Sequence, residues 1–465
     1  MQSLSETQRL GVGGLVLGAI LILIVTVGRA NRSEPQRNAT SIQSSHIDTG
    51  EATLQDPEPA TSNPTSQRPM RHGLIRLTAQ DAKIEPLATR GDAVATQTDD
   101  APQASNAPQA SNAAQAARLR FPIRQVATIG PIKSSFAFTE LLPSWNVLTP
   151  DGTGFRVDVR VRRDGEAWGP WLYMGRWGRI PQGDRVRVVA SNARPGAEAG
   201  GPWFSRADGS RVRANDRIIA APGAKVEVDI LVLDRPANEF EIRMTSFSFE
   251  PTGKTLPTLK RMAMAYSIEA TDEAIGSNRS KVAPETWARK LDVPFRAQGV
   301  ESDSVRSDIC SPTSVGMVIA AAGLDRPTLD HALAIYDDEY GIFGNWNRAV
   351  QHAGSLGLEA WLERFSTMDE VKKYVAAGQP VVASIRFGAG EFPSNIMNET
   401  AGHLIVIRGF TPEGDAIVND PASRQRGEAI IYKSDELARA WFINAGGVGY
   451  IVRSPSTESS ATNER

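Results

Sequence analysis

Cys310 is the only cysteine among 465 residues, and it opens the stretch CSPTSVGMVIAAAG. Pro312 suits the first turn of a helix, where its missing N–H would be unpaired anyway, and Gly323 is the usual stop residue. A thiol at or just before a helix N-terminus meets unpaired backbone N–H groups and the positive end of the helix dipole. Both favour the thiolate, the form that attacks carbon. The competing reading is a small apolar cysteine buried in a core. His403 follows Gly402 and opens the apolar run HLIVIRGF, and DAIVND comes back across TPEG. Folding these runs together about a turn between Pro412 and Glu413 sets His403 opposite about Ala422 and Asp420 opposite about Ile405. Both side chains then sit at one end of the hairpin. A carboxylate beside an imidazole fixes its tautomer and stabilises the imidazolium. Such a set would do nucleophilic acyl chemistry. The competing reading is two unrelated polar residues, with Asp420 before Pro421 starting a turn. His331 and His352 fall inside helical patterns and are read as surface or edge residues. No HExxH or paired CxxC is present and the five histidines are dispersed, so neither a metal nor a cofactor is expected.

The elements that must position these residues form a mixed texture from about Val282 to Ser454. Helical patterns run through SPTSVGMVIAAAG, TLDHALAIYDDEY, NWNRAVQHAGSLG, TMDEVKKYVAAG and SDELARAWFI, the last with Ser434 as a cap. PVVASIRF, HLIVIRGF, DAIVND and VGYIVRS read as strands. Helices first and antiparallel strands later is an α+β order. From about Leu119 to Glu250 the period is two instead. RVDVRV (Arg156–Val161), RVRVV (Arg185–Val189), KVEVDI (Lys225–Ile230) and FEIRM (Phe240–Met244) alternate polar and apolar, which indicates an all-β sandwich. This region has no histidine. Its aromatics, Trp145, Trp168, Trp171, Tyr173 and Trp177, are read mainly as core, the rival being a face that stacks sugars or peptide side chains.

Leu10–Gly28 is 19 residues without a charge, flanked by Arg9 and Arg29. At 1.5 Å per residue it nearly spans a hydrocarbon core of about 30 Å, and it exceeds the apolar core of a cleaved signal. It is read as a membrane anchor. Arg29, Arg32 and Arg37 would hold its C-terminal side in the cytoplasm by the positive-inside rule, but long domains translocate regardless of charge. The expectation is an extracytoplasmic body, in the periplasm or at the cell surface, or secreted if the segment is cleaved. Residues from Ala30 to about Ala117 are rich in Ser, Thr, Gln, Asn, Ala and Pro, and APQASN occurs twice in succession (Ala101–Asn106 and Ala107–Asn112). Such a stretch reads as a disordered tether. The net charge of −2 gives no reason to expect nucleic acid as a partner.

Six stretches together resemble the papain-like family of bacteriocin-processing cysteine peptidases. They are LDVPFRAQ (Leu291–Gln298), CSPTSVGMV (Cys310–Val318), GNWNRAVQHAGSLGLEA (Gly344–Ala360), GQPVVASIRF (Gly378–Phe387), GHLIVIRGF (Gly402–Phe410) and AIVNDPAS (Ala416–Ser423). The likeness is closer still to the stand-alone C-terminal peptidase domains of that family in secreted bacterial proteins. The resemblance implies Cys310 as nucleophile, His403 as general base and acid, Asp420 as its orienting residue, and Gln298 as the side-chain donor to the oxyanion beside the N–H of Cys310. It also implies a peptide or protein substrate. The residue after the cysteine is usually glycine in this family. Here it is Ser311, whose side chain would crowd the backbone near the oxyanion or donate a hydrogen bond.

The expected organisation is multidomain: an N-terminal membrane anchor (1–29), a disordered linker (30–118), an all-β sandwich accessory domain (119–255), a connector (256–282), an α+β papain-like cysteine peptidase domain (283–455) and a disordered tail (456–465). The function expected is a membrane-tethered, extracytoplasmic cysteine peptidase. Acyl transfer to an amine other than water would use the same residues. The alternative of another class is an inactive papain-like fold in a cell-surface protein, whose β-sandwich recognises glycan, cell wall or peptide.

Overall fold

The computed structural model describes residues 70–84, 123–181, 203–205, 211–213, 218–250, 255–270 and 283–455. The chain divides into Met1–Pro57 and Glu58–Arg465, and every described residue lies in the second unit. The apolar span Leu10–Gly28, the repeat APQASN, the RVRVV stretch and the C-terminal tail lie outside the described residues. Among the described residues no helix is long and apolar enough to cross a membrane.

The first half is β-rich. Its strands are β1 (Met70–Leu77), β2 (Ala82–Ile84), β3 (Ile123–Leu148), β4 (Thr153–Arg162), β5 (Leu172–Gly178), β6 (Trp203–Ser205), β7 (Arg211–Arg213), β8 (Ile218–Ala221), β9 (Ala224–Glu227), β10 (Ile230–Ser248) and β11 (Thr258–Glu269). Nine of them join one hydrogen-bonded sheet with the path β1-β11-β3-β10-β4-β5. There β2 pairs with β3, and β8 and β9 extend β10, while β6 and β7 pair with each other alone. The expectation of two separate stacked sheets is thus replaced by one continuous sheet. The reason is the length of two strands, 26 residues in β3 and 19 in β10. Their register shifts, between Val232 and Ala237 and between Phe240 and Ile242, let each strand bend and serve more than one neighbour. Apolar residues alternate inward as the period-two pattern requires: Phe155, Val157 and Val159 of β4 meet Phe240, Ile242 and Met244 of β10 in a common core.

Three expectations change here. Met70–Leu77, inside the stretch read as tether, is a strand in unbroken register with β11, from Met70↔Glu269 to Leu77↔Met262. Thr258–Glu269, read as connector, is its partner. A composition averaged over a long polar stretch hides one short segment whose partner lies at the far end of the domain. Lys225–Ile230 is not one strand but the tip of a hairpin, in which the two-residue turn Val228–Asp229 lets Ile230 of β10 pair back onto Glu227 of β9. The aromatics divide: Trp145 and Tyr173 are buried, while Trp168, Trp171 and Trp177 are half-buried. Arg160 lies 5.0 Å from the centre of Trp168 and 4.5 Å from that of Trp171, and Arg348 lies 4.8 Å from that of Trp177.

The second half is α+β. Helices α1 (Cys310–Ala321), α2 (Thr328–Ile335), α3 (Trp346–Ser355) and α4 (Met368–Ala376) precede or intersperse strands β12 (Glu359–Arg364), β13 (Val381–Phe387), β14 (Thr400–Phe410), β15 (Ala416–Asn419), β16 (Ile430–Tyr432) and β17 (Val448–Arg453). The sheet runs β12-β17-β13-β14-β15-β16 and is antiparallel throughout. Local signals explain the helix ends. Thr367 and Glu370 form a capping box on α4, Asn345 caps α3, and Gly323 takes φ 92° just past α1. Helix α5 (Ser434–Ala438) begins with Ser434 inside it rather than as its cap, and runs into a π-helical turn, Arg439–Ile443.

The two halves are one packed body. Strand β12 is an edge strand, and its outward N–H groups are taken by side chains of β3. Ala360 N–H donates to Asn146 Oδ1 at 3.0 Å and Leu362 N–H to Ser144 Oγ at 3.0 Å. This closes an edge that would otherwise invite foreign strands. Gln351 of α3 accepts from Val147 N–H at 2.9 Å and donates to Val147 C=O at 2.7 Å. Gly354 lets α3 approach so closely, since a Cβ there would lie 2.7 Å from Asn146 Nδ2. Leu142, Ala263 and Ala265 of the β-rich half belong to the core of the second half.

Candidate active site

Cys310 is the first residue of α1, and no side chain caps that helix end. Ser311 to Ile319 are all buried, so the helix runs through the core and presents its cysteine at the partly exposed end. Small residues permit this, and each buried hydroxyl has a partner. Ser311 Oγ shares a hydrogen bond of 3.0 Å with Tyr450 Oη, and Thr313 donates to Ile309 C=O at 2.7 Å. Ser314 donates at 2.8 Å to the carbonyl of Leu404, the residue after His403. That bond fixes the cysteine helix against the histidine strand. The Ser311 hydroxyl is therefore committed to the core side, opposite to the crowding that its replacement of glycine raised.

His403 lies near the start of β14 and pairs across β13 with Ile385. On its other side β14 pairs with β15 as Val406↔Asn419 and Ile407↔Val418, the register implied by a turn at Pro412–Glu413. Asp420 follows β15 at the same end. His403 Nε2–H donates to Asp420 Oδ1 at 2.8 Å, and both residues are buried. Asp420 is saturated by three donors in all, since Oδ1 also accepts from Ala422 N–H at 2.9 Å and Oδ2 from Tyr432 Oη–H at 2.7 Å. With Nε2 committed, Nδ1 is the nitrogen left for the thiol of Cys310, whose influence reaches the imidazole. Burial disfavours the imidazolium, but the Asp420 carboxylate and then Cys310 outweigh it, and His403 is pushed up to about 10. Burial works against the Asp420 carboxylate, yet His403, Tyr432 and the Ala422 N–H hold it below its ordinary range.

Gln298 begins a 3-10 turn, Gln298–Val300, at the same end of the domain. Its backbone N–H donates at 3.0 Å to the carbonyl of Pro421, next to Asp420. Its side-chain Nε2 donates at 2.8 Å to Arg306 C=O, and its buried Oε1 has no partner. The structure thus brings Cys310, His403 and Asp420 into one chain of contacts and sets Gln298 alongside with one amide N–H already engaged.

His331 and His352 are neither surface nor edge residues. Both are buried, and His331 Nδ1 and His352 Nε2 share a hydrogen bond of 2.9 Å between α2 and α3. Helical periodicity placed them on helices but could not say that the two helices pack on these faces. Burial pushes each down to about 4, with nearby Arg296 and Arg326 adding to the effect on His331 and the neighbouring imidazole adding to that on His352. Tyr432, Tyr450 and Ser314 were missed as parts of the site, because single hydroxyls in apolar strands carry no sequence signal. Among the described residues no group of three or more His, Cys, Asp or Glu side chains is arranged to hold a metal ion.

Residues 290–448 match the Peptidase C39 like family, and residues 125–197 match the Peptidase C39 N-terminal domain. The α+β half is a peptidase C39-like domain, and the β-rich half contains the N-terminal domain named for the same peptidases. Such a domain implies a peptide or protein substrate. No curated protein and no solved structure matches the chain.

Proposed function

We propose that the chain is a cysteine peptidase, held outside the cytoplasm by Leu10–Gly28, that hydrolyses peptide bonds through Cys310, His403 and Asp420. The observation that carries this reading is the His403–Asp420 bond of 2.8 Å at the one end of the hairpin that meets the Cys310 thiol. The thiolate of Cys310 adds to the amide carbonyl. The backbone N–H of Cys310 and the second N–H of Gln298 stabilise the oxyanion. As the C–N bond breaks, the imidazolium of His403 hands its proton to the leaving amine. Water, deprotonated by His403, then cleaves the thioester and restores Cys310. Asp420 keeps the imidazole oriented and its charged form stable.

Because Cys310 is the only thiol, two measurements test this directly. On the purified full chain, iodoacetamide alkylation and hydrolysis of a mixed peptide library should both be lost or greatly slowed in His403→Ala. Equal alkylation in variant and wild type would defeat the proposed pair. On intact cells, a membrane-impermeant maleimide should label Cys310; labelling only after lysis would place the domain inside. The rival glycan-binding face would need open aromatic rings, whereas Arg160, Arg162 and Arg243 already stack on Trp168 and Trp171.

A further inference from the structure

The turn between β9 and β10 carries two unusual features, a β-branched residue where a two-residue hairpin turn calls for glycine or asparagine, and a buried carboxyl beside it. Val228 has φ 56°, a left-handed conformation that is a true outlier for a β-branched side chain. Such strain persists only where the surroundings impose it. Next to it, Asp229 is 3% exposed although it belongs to a hairpin tip. It is buried because the tip enters the C39-like domain. Asp229 Oδ2 accepts from the backbone N–H of Trp346, the first residue of α3, at 2.7 Å. Its Oδ1 is buried without any partner.

The surroundings of this carboxyl lead back to the cysteine. Tyr450 is wholly buried, shares its hydroxyl with Ser311, and is acted on electrostatically by both Asp229 and Cys310. On the far side of the turn, Glu227 acts on Arg386 of β13, beside Ile385, the pairing partner of His403. Helix α3, whose first N–H Asp229 holds, packs on α1. One strained turn of the β-rich half therefore touches the helix beside the nucleophile and lies within electrostatic reach of the strand beside the base.

We propose that Asp229 is a positioning residue lent by the β-rich half to the catalytic centre: it anchors the start of α3, the helix that packs on α1 and so sets the seat of Cys310. The proposal rests on Cys310 being the nucleophile. It assigns the β-rich half a part in the reaction beyond packing. The groups that act on Asp229 are Asp337 of the α2–α3 connection and the N–H of Trp346, and Asp229 in turn acts electrostatically on Tyr450. Burial, with a smaller push from Asp337 and against the pull of the Trp346 N–H, drives Asp229 up to about 8. At neutral pH the carboxyl is mostly uncharged. Above pH 8 it becomes a buried anion beside the start of α3.

The test uses the full chain and the rate of Cys310 alkylation by iodoacetamide from pH 6 to 9, in wild type, Asp229→Asn and Asp229→Ala. Asp229→Asn keeps an acceptor for Trp346 N–H and copies the neutral carboxyl. It should match wild type within about twofold at pH 7 and exceed it above pH 8. Asp229→Ala should be about tenfold slower at pH 7, the effect of one lost buried hydrogen bond.

Stability gives an independent reading. The folded pKa lies above the unfolded one, so the contribution of the neutral carboxyl is complete below about pH 4 and is lost as pH rises to about 8. The melting-temperature advantage of Asp229→Asn should therefore grow across that window and then level off. Two results overturn the proposal: Asp229→Ala alkylating like wild type at every pH, or Asp229→Asn tracking wild type through pH 9 in both rate and stability. A wild-type rate indifferent to His403→Ala would instead remove the nucleophile reading on which the proposal rests.

Discussion

Two buried histidine sites in the same domain are held in opposite states. At the end of β14, His403 is buried beside a carboxylate and is pushed up to about 10. Between α2 and α3, His331 and His352 are buried beside each other and are pushed down to about 4. Desolvation acts in the same direction in both places. The difference is the partner: Asp420 can stabilise an imidazolium, whereas a second imidazole can only share one proton-free or singly protonated contact. Burial alone thus makes histidine a neutral structural group. Burial beside a carboxylate that accepts three hydrogen bonds instead holds it protonated near a thiol.

Removing either member of the charged pair should have the largest effect. His403→Ala is expected to lower peptide hydrolysis by about 10²–10⁴-fold, the usual worth of a positioned acid–base group. Asp420→Ala would turn the first site into a version of the second, with an imidazole buried without counter-charge. It should cost about 3–5 kcal/mol of stability, read by urea unfolding, because one half of a buried ion pair is left uncompensated. An NMR titration should show His403 dropping out of the alkaline range. An imidazole that stayed protonated there would mean that Asp420 is not what holds it.

The neutral pair comes next, and it sets the acid limit of the fold. The folded values lie below the unfolded 6.5, so the contribution of His331 and His352 is complete above pH 6.5 and is lost as pH falls toward about 4. The melting temperature should fall through that window, and His331→Gln combined with His352→Gln should flatten the slope. An unchanged slope would place the acid sensitivity elsewhere. A third histidine supplies the small effect. His72 of β1 contacts Ser366 at 2.9 Å and Glu370 at 3.4 Å, at the edge of solvent. His72→Ala should cost no more than about 1 kcal/mol in thermal unfolding, as partly exposed pairs do, and leave hydrolysis unchanged.

The parts of the site that were legible in the sequence share one property: each lies within a single local element. The helix start at Cys310 follows from Pro312 and Gly323, and the nearness of His403 to Asp420 follows from one hairpin with a short turn. Gln298 was legible only through resemblance. Its engagement by Arg306 C=O was not, because the loop between them has no periodicity to read. The β-rich character of the first half followed from alternation, but its extent did not. Met70–Leu77 does not alternate regularly and lies in a polar stretch, so only its long-range partner β11 makes it part of a sheet. Lys225–Ile230 alternates as a strand should, and the alternation conceals the turn at Val228 and Asp229.

What the sequence determined by itself is therefore local: the helix that begins at the cysteine, the hairpin that brings a histidine to a carboxylate, and the alternating strands. Periodicity and capping act over a few residues and are written in neighbouring side chains. What only the tertiary structure decided is which faces meet. It set His331 against His352, turned Ser311 toward Tyr450, closed the edge of β12 with Asn146 and Ser144, and carried Asp229 from one half of the chain to the helix that packs on α1. Those contacts join residues far apart in sequence, and their energies come from burial and the pairing of buried polar groups, which exist only once the whole body has packed.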